Sequence, residues 1–439
     1  MTETALVWLR NDLRLADNPA LTAAVDRGGR VVALHIEEAD PTLRPRGAAS
    51  RWWLHQSLTS LADQLAAIGI PLETVRGETA PSLLEAVRKH DVTAVFCNRR
   101  YAPAERDIDA SIKHRLRSKG LIAQSCPGNV LIEPFEIATK TGAPYAVYTP
   151  FWTTLRNRDI AAPLPAPKRR GTPLPPGPVD TAYRTPAWAG KLTQYWKIGE
   201  TSARQRLEAF LDEQIARYPE GRDFPMRDVT STLSPHLALG EISSRQIWHA
   251  ARMLAHRSPE KAGAIDKFLS ELAWRDFNIH QLYHRPDIAN VPMQPKFAGL
   301  KWRQSDADLR AWQRGETGFA IIDAGMRELW ETGYMHNRVR MLVASLLTKN
   351  LLLDWRLGEQ WFWDCLVDAD LASNPGNWQW VAGCGNDAAP YFRIFNPLTQ
   401  QQKFDPESAY VRRWAPEPRE PIADLKSSRE RALAAFQAL

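Results

Sequence analysis

The order of apolar and polar positions divides the chain into halves with different periodicity. Over residues 1–125, Ala5–Leu9, Val31–Ile36, Pro71–Val75 and Val92–Cys97 are short apolar runs, most of them containing β-branched residues. Between and after them, Pro19–Val25, Arg51–Ala67, Pro81–Lys89 and Ala104–Leu116 repeat apolar residues at helical spacing. This strand–helix alternation predicts a doubly wound, Rossmann-like α/β domain, with helices on both faces of a parallel sheet. No GxGxxG follows the first run, so the usual dinucleotide loop is missing.

Residues 161–188, AAPLPAPKRRGTPLPPGPVDTAYRTPAW, break the alternation. Proline fixes φ and removes a backbone donor, so this composition suits an extended surface connector. Residues 126–195 are read as an interdomain linker. From Ile198 onward the period is 3.6 residues, as in Ser202–Tyr218, Ser244–Ala255, Ala262–Leu282, Phe319–Thr332 and Asn337–Leu353. Residues 196–439 are therefore predicted to form a mostly α-helical domain, without an internal repeat.

Composition narrows the class. Of 439 residues 44% are hydrophobic, enough for a sizeable core. No window approaches the ~20 apolar residues of a membrane span. The N-terminal MTETALVWLRNDLR meets charges before it can build a secretory apolar run. Cys97, Cys126, Cys365 and Cys384 show no CxxC pairing and read as buried thiols of a reducing, cytoplasmic setting. The net charge of +6 is uneven: residues 126–195 carry 8 basic and 4 acidic groups, whereas residues 196–439 carry 31 of each. Any polyanion bound by the second half therefore needs basic groups clustered by the fold.

Tryptophan, at 17 residues, is the anomaly. Core filling accounts for many of them, but not for their placement beside polar groups. In FLSELAWRDFNIH, Glu271, Trp274 and Arg275 share one helix face at i, i+3 and i+4. A plain Glu–Arg pair beside a core indole is the simpler reading of that trio. In GYMHNRVRM, Asn337, Arg340 and Met341 share a face with Arg338 beside them, a set able to grip phosphate or base edges. Asp368 and Asp370 interrupt an apolar run and need partners, and Arg340 is the natural one for Asp368. No His or Cys stands at ligand spacing from them, so no metal is expected. SNPGN (Ser373–Asn377) reads as a turn that delivers Trp378 and Trp380.

Taken in order, these segments resemble the photolyase/cryptochrome family, most nearly the microbial enzymes that split cyclobutane pyrimidine dimers (CPDs). VWLRNDLRLADNPAL (Val7–Leu21) is similar to the family's opening strand–turn–helix. RDFP (Arg222–Pro225), TSTLSPHLALGEIS (Thr230–Ser243), ELAWRDF, GYMHNRVRM, DADLASNPGNWQW and DAAPYFRIFNP match in order and spacing. The similarity runs from residue 5 to about residue 415.

The resemblance implies a light-driven enzyme that uses reduced FAD to repair DNA containing pyrimidine dimers. It is expected to act as a monomer in the cytoplasm, on the bacterial nucleoid and away from membranes. The implied FAD set is Tyr218, Thr230, Ser231, Thr232, Leu233, Ser234, Arg275, Arg340, Asp368, Asp370 and Asn374. Serine and threonine hydroxyls at a helix start suit the phosphates. Many relatives have Arg where Thr232 stands, which removes one charge contact. Asn374 takes the place of the Asn that faces the flavin N5 in photolyases, where plant cryptochromes usually have Asp. Trp378, Trp355 and Trp302 match the electron-transfer tryptophans.

Arg222, Glu271, Trp274, Asn337, Arg338, Met341 and Trp380 match the lesion-contacting set, with Glu271 also stabilising charge. The (6-4) photolyases carry a His pair where this chain offers only His336, which favours the cyclobutane lesion over that alternative. A cryptochrome-type photoreceptor is the other reading, and the short stretch after the last motif is expected to leave no signalling tail. For a light-harvesting antenna, Glu105 matches a folate-contacting Glu, although Ala104 replaces the neighbouring Asn. Ser50–Trp53 resembles a branch in which Trp52 or Trp53 borders the folate. Methenyltetrahydrofolate is the expected antenna, with a deazaflavin, or none, as alternatives.

Overall fold

The computed structural model describes residues 3–168, 171–179, 183–415 and 417–439. Five strands, β1 (Thr4–Leu9), β2 (Arg30–Glu38), β3 (Leu72–Gly77), β4 (Val92–Asn98) and β5 (Ile122–Cys126), form one sheet in the order β3-β2-β1-β4-β5. Every neighbouring pair is parallel. Helices Pro19–Asp26, Ala48–Ala67, Thr79–Lys89 and Pro103–Ser118 make the crossovers. Strand β1 is buried along its whole length: Ala5, Val7 and Leu9 enter one core, Leu6 and Trp8 the other. That is the pattern of a central strand covered on both faces. The four predicted strands are present. The fifth, IAQSC, was missed because it is a short edge strand with exposed Ile122 and Gln124, too polar to read as an apolar run.

Chain direction across the sheet reverses between β1 and β4, which opens a crevice at their carboxyl ends. The stretch expected as a linker contains more structure than its composition suggested. Tyr148–Leu155 is a helix whose Tyr148, Phe151, Trp152 and Leu155 are buried among residues of the helical domain. Pro150 lies in its first turn, where a missing N–H costs nothing. A 3₁₀ segment follows at Ala187–Gln194, while the described residues from 161 to 179 form neither helix nor strand.

In the helical domain, Ser244–Arg257, Ala262–His284 and Ala320–Thr332 appear close to the expected limits. Two expected helices change hydrogen-bond pattern part-way. Glu200–Ala209 passes into a π-turn at Phe210–Gln214, and Asn337–Ser345 into one at Leu346–Asn350. SNPGN is not a turn: it begins the helix Ser373–Ala382. Pro375 falls in the first turn, and Asp370 accepts hydrogen bonds from the N–H groups of Ala372 (2.9 Å) and Ser373 (2.6 Å).

Buried polar contacts tie the halves together. Glu200 accepts from the N–H groups of Leu15 (2.6 Å) and Ala16 (3.0 Å), and Arg245 pairs with Asp17 at 3.1 Å. Cys97, Cys126 and Cys384 are buried, Cys365 is half-buried, and all four are free thiols. Among the described residues no helix is long and apolar enough to cross a membrane.

Candidate flavin and lesion cavity

A cavity of about 520 Å³ lies within the helical domain, in the size range of small-molecule sites. Three helices supply most of its wall. Ala262–His284 contributes Glu271, Trp274 and Arg275, while Asn337–Ser345 contributes Asn337, Arg338, Arg340 and Met341. Ser373–Ala382 contributes Asn374, Trp378 and Trp380. Tyr218, Arg222, Ser231, Leu233, Ser234, Asp368 and Asp370, also expected at the site, line it as well. Thr230 and Thr232 are not among the lining residues; Thr232 instead holds a left-handed backbone (φ 46°) between Ser231 and Leu233.

Asp368 is fixed from two sides. Arg340 donates to both its oxygens, at 3.1 and 2.8 Å, and the Ser234 hydroxyl donates at 2.6 Å. Arg340 also donates to the Met335 carbonyl at 2.7 Å. Burial pulls the Arg340 guanidinium down, but Asp368 overrides it and raises its pKa above the ordinary value. The partner that an apolar run requires for Asp368 is therefore the one expected.

Asn374 donates through Nδ2 to the Glu359 carbonyl (2.9 Å) and to Glu359 Oε1 (2.8 Å). Gly358 lets this helix pair close, since a Cβ there would lie 2.1 Å from the Trp378 indole. The Trp378 ring meets Phe362 edge-on at 5.1 Å. Trp355 and Trp302 lie off the cavity: Trp355 is fully buried, and Trp302 packs half-buried against the same core.

Glu271 does not pair with Arg275, as the simpler sequence reading had it. It pairs with Arg222, from the RDFP segment, and with Lys267 at 2.9 Å. Burial pushes the Glu271 carboxyl up, but the hydrogen bonds from Arg222 and Lys267 outweigh it and hold the group below its ordinary value. Arg275 instead donates to the Asn129 carbonyl (2.5 Å) and the Ser244 hydroxyl (3.3 Å). Arg338 pairs with Asp223 at 2.7 Å. Trp274 is backed by Tyr148, whose ring stacks on it at 3.8 Å and 10°.

A second cavity, of about 490 Å³, opens at the carboxyl ends of β1, β2 and β4. It holds Glu105 but neither Trp52 nor Trp53. Those indoles are 1% and 0% exposed, and Trp53 donates to Glu241 at 3.2 Å while packing edge-on against Trp196 and His236. Protein covers both rings, which corrects the expectation that they border an antenna. Glu105 lies 3.7 Å from Arg100, and burial leads in pushing its carboxyl up. The two cavities share Ala238, Arg275, Ala369 and Asp370 as wall.

Sequence reasoning missed Glu359, Arg44 and Tyr148. A carboxylate ahead of the aromatic run in GEQWFWDC was a usable pointer to Glu359, and the helix pattern YTPFW to Tyr148. Among the described residues no group of three or more His, Cys, Asp or Glu side chains is placed to hold a metal ion.

The cavity's donor set suits a flavin nucleotide: hydroxyls near a helix start, a buried guanidinium–carboxylate pair, and aromatic walls. Comparison with known proteins agrees. Residues 5–168 match the family described as DNA photolyase, and residues 268–425 the FAD binding domain of DNA photolyase. The deoxyribodipyrimidine photo-lyase of Agrobacterium fabrum is 42% identical over all of this chain and 98% of its own length. The Arabidopsis thaliana Cryptochrome-2 is 33% identical over 95% of this chain and 71% of its own. A crystal structure of a class III photolyase from Agrobacterium tumefaciens superposes with a TM-score of 0.94 at 42% identity, covering 100% of this chain and 98% of that one. With its paired α/β and FAD-binding domains, the chain belongs to the DNA photolyase/cryptochrome family.

Proposed function

We propose that the chain is a deoxyribodipyrimidine photo-lyase that splits cyclobutane pyrimidine dimers in DNA by light-driven electron transfer. The observation that carries this reading is that one cavity gathers the residues matching the flavin set and those matching the lesion set. We assign it as a monomeric enzyme acting in the cytoplasm.

Arg340, Asp368, Arg275 and Asn374 would hold the flavin ring, with Ser231 and Ser234 toward the phosphates. Bound reduced FAD supplies, under blue light, the electron that opens the cyclobutane ring and is afterwards returned. The protein's own work is positional. A dimer must leave the duplex to reach such a cavity, and Trp274 and Trp380 offer it faces for stacking, worth ~1–3 kcal/mol per base. Glu271, held ionised by Arg222 and Lys267, is an acceptor for pyrimidine N–H groups. Arg338 reaches the flanking phosphates once it leaves Asp223. Trp378 lines the cavity, Trp355 is fully buried and Trp302 is half-buried against the same core, a gradation of burial that suits stepwise electron supply from the surface. Asn374 favours repair over signalling, since photolyases carry Asn at the matching position.

The second cavity is our candidate antenna site, with Glu105 as the contact for methenyltetrahydrofolate. Arginines such as Arg46 and Arg51 on its wall suit folate carboxylates. A structural neighbour from Sulfolobus tokodaii, 26% identical with a TM-score of 0.82, is described with two FAD molecules, so a flavin is the competing occupant.

The test is direct. Prereduced, FAD-loaded protein is mixed with a thymine-dimer oligonucleotide and illuminated with blue light. Loss of dimer well above a dark control is expected, and equal loss in light and dark would refute the reading.

A further inference from the structure

A loop of the N-terminal domain reaches the wall of the flavin cavity. Residues 44–47, between β2 and helix Ala48–Ala67, lie against helix Trp355–Cys365. Trp363 Nε1 donates to the Pro45 carbonyl at 2.8 Å, and Ala48 N–H to Asp364 at 2.9 Å. The approach at Gly47 is so close that a Cβ would lie 1.9 Å from the Trp363 carbonyl oxygen. Arg44 sits on this loop, stacked over the Trp363 ring at 4.1 Å. Its two terminal nitrogens donate to the two oxygens of Glu359, at 2.7 and 2.9 Å. This planar fork matches a carboxylate in a way that lysine cannot.

Glu359 is 2% exposed, and both its oxygens are engaged as acceptors. That decides which way the Asn374 amide points. Its two neighbours here, the Glu359 carbonyl and Oε1, are both acceptors, so the NH₂ group must face them. The amide's oxygen is left for the cavity that Asn374 lines.

We infer that Arg44 is a positioning residue for the flavin: through Glu359 it holds the Asn374 amide with its oxygen, not its NH₂, toward the isoalloxazine. The inference rests on the proposed placement of Asn374 against the flavin N5. Reduced flavin carries a hydrogen on N5, whereas oxidised flavin presents a lone pair there. An acceptor at this position therefore favours the reduced cofactor, and a donor would favour the oxidised one. Arg44 also lines the second cavity, so a residue of the N-terminal cavity sets the orientation of a flavin contact in the helical domain.

The test is a dye-equilibrated redox titration of the full-length, FAD-loaded protein. With Arg44→Met, Glu359 loses its two fixed donors and Asn374 is free to turn. The reduced-to-oxidised ratio at fixed potential should then fall about tenfold, equal to ~30 mV for a two-electron couple. Arg44→Lys keeps the charge but not the fork, and should fall at least about threefold. In an Asn374→Ala background the Arg44→Met effect should shrink below about threefold, because the two residues act in series. A general loosening of the domain interface would leave it undiminished there. An unchanged ratio in Arg44→Met, or an equal fall with and without Asn374, overturns the inference. Should Arg44→Met not retain FAD, Arg44→Lys decides alone by the same threshold. Failure here with dimer repair intact would count against Arg44 only, whereas absence of repair in the wild type would count against the proposed function.

Discussion

Tyr148 offers a sharp test of how the lesion side of the cavity is built. Its ring lies 3.8 Å from that of Trp274 and nearly parallel to it, its hydroxyl donates to the Ser270 carbonyl, and its N–H donates to Asp387 at 2.9 Å. Trp274 is thus held from behind by a residue outside the three cavity helices. Truncation to Ala removes an aromatic side chain that is only 8% exposed, at a cost of ~3–5 kcal/mol in stability. The stacking itself, worth ~0.5–1.5 kcal/mol, is the part that bears on Trp274's orientation. If Trp274 stacks on the dimer, that energy translates into a roughly two- to tenfold loss of affinity for damaged DNA. Tyr148→Phe keeps the ring and gives up one hydrogen bond, ~0.5–1.5 kcal/mol of stability, so its damaged-DNA affinity should stay close to wild type. The assay is fluorescence anisotropy in the dark, at fixed salt, with dimer-containing and undamaged oligonucleotides. Phosphate contacts are common to both and cancel in the ratio. A folded Tyr148→Ala holoprotein that discriminates damage as well as wild type would refute the reasoning, as would Tyr148→Phe losing as much as Ala.

Glu328 gives a prediction about pH. Burial drives its carboxyl up to about 7, against hydrogen bonds from the Tyr410 hydroxyl and the His336 N–H and the charge of Arg340. A raised acid stabilises the fold fully below its unfolded value near 4.5, and that contribution is lost as pH rises through 7. Glu328→Gln should therefore be more stable than wild type above pH 7, by ~3 kcal/mol at most, with the advantage gone below pH 4.5. Denaturant unfolding across that range checks it, and a constant difference would exclude the titration. For the electron path, Trp302→Phe should slow photoreduction of oxidised enzyme while leaving repair by chemically prereduced enzyme unchanged. Collapse of both would mean that Trp302 acts through packing.

Which parts of this site could be read from the chain follows from the range of the interactions. The trio Glu271, Trp274 and Arg275 was legible because helix geometry alone places them on one face, and all three line the cavity. The Arg340–Asp368 pair was legible because a carboxylate in an apolar run demands a cation. Pairing within the trio was not legible: Glu271 took Arg222, nearly fifty residues away, in preference to the local Arg275. Local spacing says which groups can meet, but burial and competing donors decide which do. Proline misled at SNPGN: there it marks a helix's first turn, where its lost N–H has no partner to lose, yet from sequence it reads as a break.

The least legible contact is the one that joins the domains. Arg44 and Glu359 are 315 residues apart, and neither carries a local pattern that implies the other. Arg44 lies in a Pro-rich loop that could end anywhere on a surface, and Glu359 in a run that reads as core. Their meeting depends on the packing of the 44–47 loop against helix Trp355–Cys365, which the glycine at 47 permits and which no periodicity encodes. A flavin site built in this way is not the property of the helical half alone. The α/β domain, whose crevice is the candidate antenna site, also reaches Asn374 through a guanidinium fork and a buried carboxylate. Separating the domains should therefore alter the flavin's environment even where every cavity-lining side chain is retained.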